Sequence, residues 1–147
     1  MTRFLLFLLL ISPSFLFAQF TDDFEDGDIS DWTQSTDGRW AASDISPLNG
    51  SFSLHHIFDN PDAGNDQISI ELPTIDMTAQ NITWRFKVRH SYNPSSSNNW
   101  CVFLTSDTIA HQIYPGGAVN GYAVGVNFTG YDDTLRLWKV TDGTASE

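Results

Sequence analysis

The chain is 147 residues long and carries 18 acidic against seven basic side chains, a formal net charge of −11. So acidic a surface repels phosphate backbones and argues against nucleic-acid binding, while it attracts divalent cations. The single cysteine, Cys101, excludes an intrachain disulfide, and the length suffices for one domain with its own core but not for two.

Residues 1–18 read as a secretory signal peptide. Met1-Thr2-Arg3 gives a positive start, Phe4 to Ile11 an unbroken apolar run, and Ser12-Pro13 with the small Ala18 a cleavage region. The run is far shorter than the roughly 20 residues that span a bilayer, and no second one follows. No membrane insertion is therefore expected after cleavage, and the expected location is secreted or cell surface. No cysteine stands at the cleavage point, which argues against a lipid-modified precursor. Residues 19–147 form the expected domain. Small secreted animal domains usually rely on disulfides, whereas larger bacterial exported domains can rely on core area and bound calcium, so a bacterial exported domain is the preferred reading.

Within the domain, strands are predicted at Phe52 to Phe58, Gln67 to Leu72, Ile82 to Arg89, Trp100 to Thr105, Tyr122 to Phe128 and Thr134 to Val140. The segment from Ile82 shows the pattern best. Ile82, Trp84, Phe86 and Val88 alternate with Thr83, Arg85, Lys87 and Arg89, a period of two that predicts one dry and one wet face, with Trp84 in the core. Turns are predicted where positive φ is cheap, at Asp26-Gly27, Asp37-Gly38, Asn49-Gly50, Asn120-Gly121 and Asp142-Gly143. In the strand from Tyr122, the small Ala123 and Gly125 share a face with Asn127, leaving room for a loop or a ligand to approach the backbone. No segment after the signal peptide reads as a helix. The fold class is accordingly all-β, an antiparallel β-sandwich of jelly-roll, concanavalin A-like type. Asp142-Gly143 reads as a hairpin tip whose return strand begins near Thr144, only a few residues before Glu147. The expectation is that the sandwich is incomplete at its C-terminus, with Leu135 to Val140 short of a partner.

Two stretches concentrate hard oxygen donors. Asp23, Glu25, Asp26 and Asp28 lie in the first, Asp59, Asp62 and Asp66 in the second, and these seven are the candidate ligands of a structural calcium ion. Neither has EF-hand spacing. His55 and His56 leave an extended strand by opposite faces and cannot share a metal, and His90 and His111 have no partner at ligand spacing. There is no nucleophile elbow, phosphate-binding glycine loop or His-Glu-x-x-His motif, and Glu71 is the sole carboxylate well inside a predicted strand. The chain reads as non-enzymatic, and Cys101 as a packed small hydrophobe rather than a nucleophile. Aromatic rings beside polar loops are the remaining asset, since sugars lay their C–H faces against them. Trp138, Trp40 and Tyr131 are the candidate ligand contacts. Asn49, Asn81 and Asn127 head Asn-x-Ser/Thr sequons, which matter in a eukaryotic secretory pathway.

Trp84-Arg85-Phe86-Lys87-Val88, Asn93-Pro94-Ser95-Ser96-Ser97-Asn98, Val102-Phe103-Leu104-Thr105-Ser106-Asp107, Asn120-Gly121-Tyr122 and Leu135-x-Leu137-Trp138 follow one another in an order that carries a family resemblance. With the opening Asp23-Phe24-Glu25-Asp26-Gly27-Asp28 and Trp32, the chain resembles the amino-terminal sandwich module of large exported bacterial proteins bearing lamin-tail-like domains and a type IX sorting signal. The resemblance implies a concanavalin A-like or jelly-roll domain at the front of a longer surface or secreted protein with further domains. Neither a lamin-tail-like domain nor a sorting signal occurs in these 147 residues. No ligand residues come with it.

The expected function is that of a non-catalytic extracellular module for adhesion or glycan binding, its partner an extracellular glycan or a surface protein. Two alternatives stand beside it. One is a spacer that holds no ligand; the other is the front part of a carbohydrate-active enzyme whose catalytic residues lie beyond Glu147.

Overall fold

The computed structural model describes residues 20–62, 64–73, 81–114 and 116–147; the expected signal peptide lies outside them. The described part is all-β. Its strands in chain order are β1 (Thr33–Gln34), β2 (Trp40–Ser43), β3 (Ser53–His56), β4 (Ile68–Ser69), β5 (Trp100–Ser106), β6 (Gly121–Val126), β7 (Leu135–Thr141) and β8 (Thr144–Ser146), with one 3-10 turn at Ala110–Gln112. Every pairing is antiparallel: β1 with β4, β2 with β3, and a four-stranded sheet in the order β5-β6-β7-β8. Among the described residues no helix is long and apolar enough to cross a membrane.

The sheets are shaped by their turns. Between β1 and β2, Gln34 does with its side chain what a ladder would do with backbone: its Oε1 accepts the N–H groups of Arg39 and Trp40, both at 2.9 Å. The chain turns there through Gly38 at φ +76°. At the β7–β8 tip, Asp142 and Gly143 both adopt positive φ (47° and 70°), the conformation a two-residue hairpin needs. The return strand β8 pairs Lys139 with Ser146, Val140 with Ala145 and Thr141 with Thr144. The C-terminal half of β7 therefore has the neighbour that the sequence left in question.

Asn120-Gly121 is not a free turn. Gly121 opens β6, and a Cβ there would stand 2.0 Å from the Thr105 carbonyl oxygen; at Gly125 it would stand 2.1 Å from that of Trp100. What approaches the backbone at these small residues is the neighbouring strand itself. Asn120 instead acts as a staple. It donates to both Asp107 carboxylate oxygens, from its N–H at 2.8 Å and Nδ2 at 2.7 Å, and accepts the Asp142 N–H at 2.9 Å.

The core lies on one face of the four-stranded sheet. Val119, Ala123, Trp138 and Val140 are its buried centre, with Cys101, Phe103, Ile113, Phe128 and Ala145 packed around them. Phe128 stands edge-on between Trp138 (5.6 Å) and Phe103 (5.8 Å), a geometry that suits the opposed charge of ring edge and face. Asn127, 2% exposed at φ 56°, is buried with its amide satisfied: Nδ2 donates to Asp133 Oδ1 at 2.7 Å and Oδ1 accepts the Asp133 N–H at 2.9 Å. On the opposite face Tyr122, Leu135 and Leu137 are exposed.

The expected strand from Ile82 to Arg89 does not form. Residues 81–90 enter no ladder, Trp84 is half-buried rather than core, and Ile82, Phe86 and Val88 remain 37–48% exposed. Arg85, Lys87 and Arg89 are exposed, as their row required. Alternation assigns residues to faces, but a strand also needs a neighbour's N–H and C=O groups, and those are not written in the segment itself.

Candidate functional site

Of the three aromatic candidates, the structure leaves one available to a ligand. Trp138 is 0% exposed and is the centre of the core, which corrects its reading as a surface platform. Trp138 lies on the same side of β7 as Arg136 and Val140, and that side is the dry one. Trp40 is half-buried, edge-on to His56 at 4.9 Å, with its indole N–H buried and without an acceptor. Tyr131 is 82% exposed.

Tyr131 stands at the head of the loop that joins β6 to β7. Gly130 at φ +91° and Asp133 at φ +58° bend the loop, and the Asn127–Asp133 amide–carboxylate pair closes its base. Beside the ring lies a shallow hollow of about 280 Å³ lined by Thr129, Gly130, Tyr131, Asp132, Arg136 and Glu147. Arg136 is clamped between Asp132 and Glu147, donating to each through a different terminal nitrogen. Those hydrogen bonds, Glu147 first and Asp132 second, push the guanidinium pKa up. The same contact with Arg136 holds the Asp132 carboxyl below its usual range. The hollow thus offers one exposed ring next to a fixed frame of donors and acceptors, with one positive and two negative groups.

A second polar cluster surrounds Asp66, whose side chain is 7% exposed. It accepts hydrogen bonds from Asn60 Nδ2 and His56 Nε2, both at 2.7 Å, and lies 3.6 Å from Arg39 Nε. Arg39 also donates to Asn60 Oδ1 at 3.0 Å and stacks 3.4 Å above the Phe58 ring. Burial alone would raise the Asp66 pKa; the hydrogen bonds from Asn60 and His56 and the Arg39 charge outweigh it and bring the value down. Every partner in this cluster is matched to another protein group, the pattern of a structural network that ties β3 to the loop before β4. Sequence reading found Asp66 as a metal candidate and missed Arg39, Asn60 and His56 as its partners, since they lie 27, 6 and 10 positions away in a loop-dominated region.

The acidic stretch near the start of the domain surrounds a larger hollow of about 450 Å³ lined by Phe20, Thr21, Asp22, Asp23, Asp26, Asp28, Ser30 and Asp31. Its carboxylates are turned toward backbone. Asp23 accepts the Glu25 N–H (3.2 Å), Asp26 the Asp28 N–H (3.1 Å), and Asp28 those of Ile29 (2.8 Å) and Ser30 (2.9 Å) together with the Ser30 hydroxyl (2.6 Å). Glu25 reaches away to accept the N–H groups of Ser51 and Phe52. Asp22 accepts the Trp32 indole N–H at 2.6 Å and the Phe24 N–H at 2.9 Å. Asp59 and Asp62 lie exposed on their loop. Among the described residues no three His, Cys, Asp or Glu side chains form a group able to hold a metal ion.

Comparison with known protein families, with curated proteins and with solved structures finds no match.

Proposed function

We propose that this chain is a non-catalytic extracellular module that holds a glycan at the Tyr131 hollow. One observation carries the reading: a tyrosine 82% exposed on a turn closed at its base, beside an arginine already fixed by two carboxylates. An exposed ring stacks on the apolar face of a sugar, and planar charged groups with set directions accept and donate to its hydroxyls. A hollow of about 280 Å³ is open and small, suited to a terminal sugar unit rather than to a long buried chain. The sandwich architecture and the exported setting expected from the sequence agree with such a role, and an adhesive surface protein is its natural carrier.

A glycan array with the purified chain, repeated with Tyr131→Ala, tests the proposal. Retention on a defined set of sugars that the substitution abolishes, at unchanged melting temperature, is the expected result. Equal retention by both proteins, or none by either, would remove it.

A further inference from the structure

We propose that Asn49 is a site of spontaneous deamidation, its side-chain amide being lost by cyclisation onto the Gly50 nitrogen, and that the product loosens the hold of Glu25 on the turn before β3. Among the described residues Asn-Gly occurs twice, at Asn49-Gly50 and at Asn120-Gly121. Both pairs offer the same chemistry, because a following glycine leaves its backbone nitrogen unshielded by any side chain. Their surroundings separate them.

Asn120 is held. Its Oδ1 accepts the Asp142 N–H at 2.9 Å and its Nδ2 donates to Asp107 at 2.7 Å, so its amide carbon cannot turn toward the next nitrogen without losing both bonds. Gly121 is fixed in β6, in register with Ser106 on one side and Val140 on the other. Asn49 has neither restraint. It lies exposed with Gly50 in the turn between β2 and β3, and among the described residues neither the Asn49 amide nor the Gly50 N–H has a hydrogen-bond partner. Exposed loop backbone of this kind samples conformations that a ladder forbids.

The reaction balances with water as the sole co-reactant. The Gly50 nitrogen gives its proton to solvent and bonds to the Asn49 Cγ, the Cγ–Nδ2 bond breaks, and the departing nitrogen takes up a proton and leaves as ammonia. Water then opens the ring at either carbonyl, leaving aspartate or isoaspartate at position 49. Either product places a new negative charge next to the residue against which the Glu25 carboxylate sits, where that carboxylate accepts the N–H groups of Ser51 and Phe52. Like charges repel there, and isoaspartate also lengthens the backbone by a methylene just ahead of the two N–H groups that Glu25 holds.

Tandem mass spectrometry of the full chain, aged in the folded state and aged in denaturant, follows both sites at once. In denaturant the two amides should be lost at similar rates. In the folded chain Asn49 should stay close to that rate and Asn120 should fall behind it by about tenfold or more, because Asn120 reacts only from a locally opened state. Asp107→Ala, which releases the Asn120 amide nitrogen, should narrow the gap. Equal loss at both sites in the folded chain, or slower loss at Asn49, would overturn the assignment. The isoaspartyl chain, separated by chromatography, should melt below the unreacted chain, and the difference should shrink in a Glu25→Ala background. An undiminished difference in that background would overturn the link to Glu25.

Discussion

The Glu25 carboxylate occupies the space that a side chain at Gly50 would need. Oε1 lies 2.1 Å from the position of a Gly50 Cβ while it accepts the N–H of Ser51 at 2.8 Å and of Phe52 at 3.1 Å. One acidic side chain thereby fastens the start of the domain to the turn before β3, and it does so only because residue 50 has no side chain. Those two backbone N–H groups, Phe52 first, also hold the Glu25 pKa down.

Gly50→Ala should therefore destabilise the domain by about 1–3 kcal/mol, since it meets both a clash and a positive φ of 61°. In a double-mutant cycle with Glu25→Ala, the cost of the alanine at position 50 should shrink, because the clash is gone and only the backbone strain remains. Urea unfolding of the four proteins measures it; strict additivity would mean that the carboxylate moves aside freely.

Trp138→Ala should cost about 3–5 kcal/mol, the range for an aromatic removed from a packed core. Trp138→Phe should cost well under half of that. Its ring can still meet Phe128, and the Trp138 indole N–H is buried without an acceptor, so no hydrogen bond is lost. Chemical denaturation of both variants gives the comparison.

Acid should act through Asp66. Its pKa lies below the ordinary 3.8 in the folded chain, so on acidification the unfolded chain takes up the proton first. The stability it contributes is present above that ordinary value and is lost as pH falls through the lower, folded one. Asp66→Asn should lower the melting temperature at neutral pH and flatten the decline between about pH 5 and pH 2. Glu25, Asp28 and Asp107 are shifted the same way and should leave a residual slope in the variant.

Burial pushes the Cys101 thiol up to about 12. Thiolate is the reactive form, so a neutral disulfide reagent at pH 8 should label the folded chain at least tenfold more slowly than the chain in denaturant. Equal rates would place this sulfur in water rather than against Ala123 and Trp138.

Local chemistry was legible wherever a few neighbouring residues decide it. The Asp142-Gly143 tip, the strands β5, β6 and β7, and the packed role of Cys101 follow from turn chemistry and a period of two, and the structure has them. β2 was missed because Trp40-Ala41-Ala42-Ser43 does not alternate; its pairing with β3 comes from partners ten to sixteen positions away and from the Gln34 side chain. Facing was the harder question. Leu135 and Leu137 on one side of β7 against Arg136 and Trp138 on the other gave hydrophobicity no clear preference, and only the packing with Ala123 and Phe128 decides that Trp138 goes inward. Exposure decides the site in the same way: nothing local distinguishes Tyr131 from the other rings until the loop that carries it is built.

The buried amide of Asn127 bears on how this protein can be produced. Oligosaccharyltransferase in a eukaryotic host modifies the nascent chain at Asn-x-Ser/Thr, and residue 127 heads such a sequon. A glycan attached there would occupy the nitrogen that must reach Asp133 and would have to fit where only 2% of the residue meets solvent. Yeast or mammalian secretion should therefore yield misassembled material that Thr129→Ala, which deletes the acceptor signal without touching the amide, would recover.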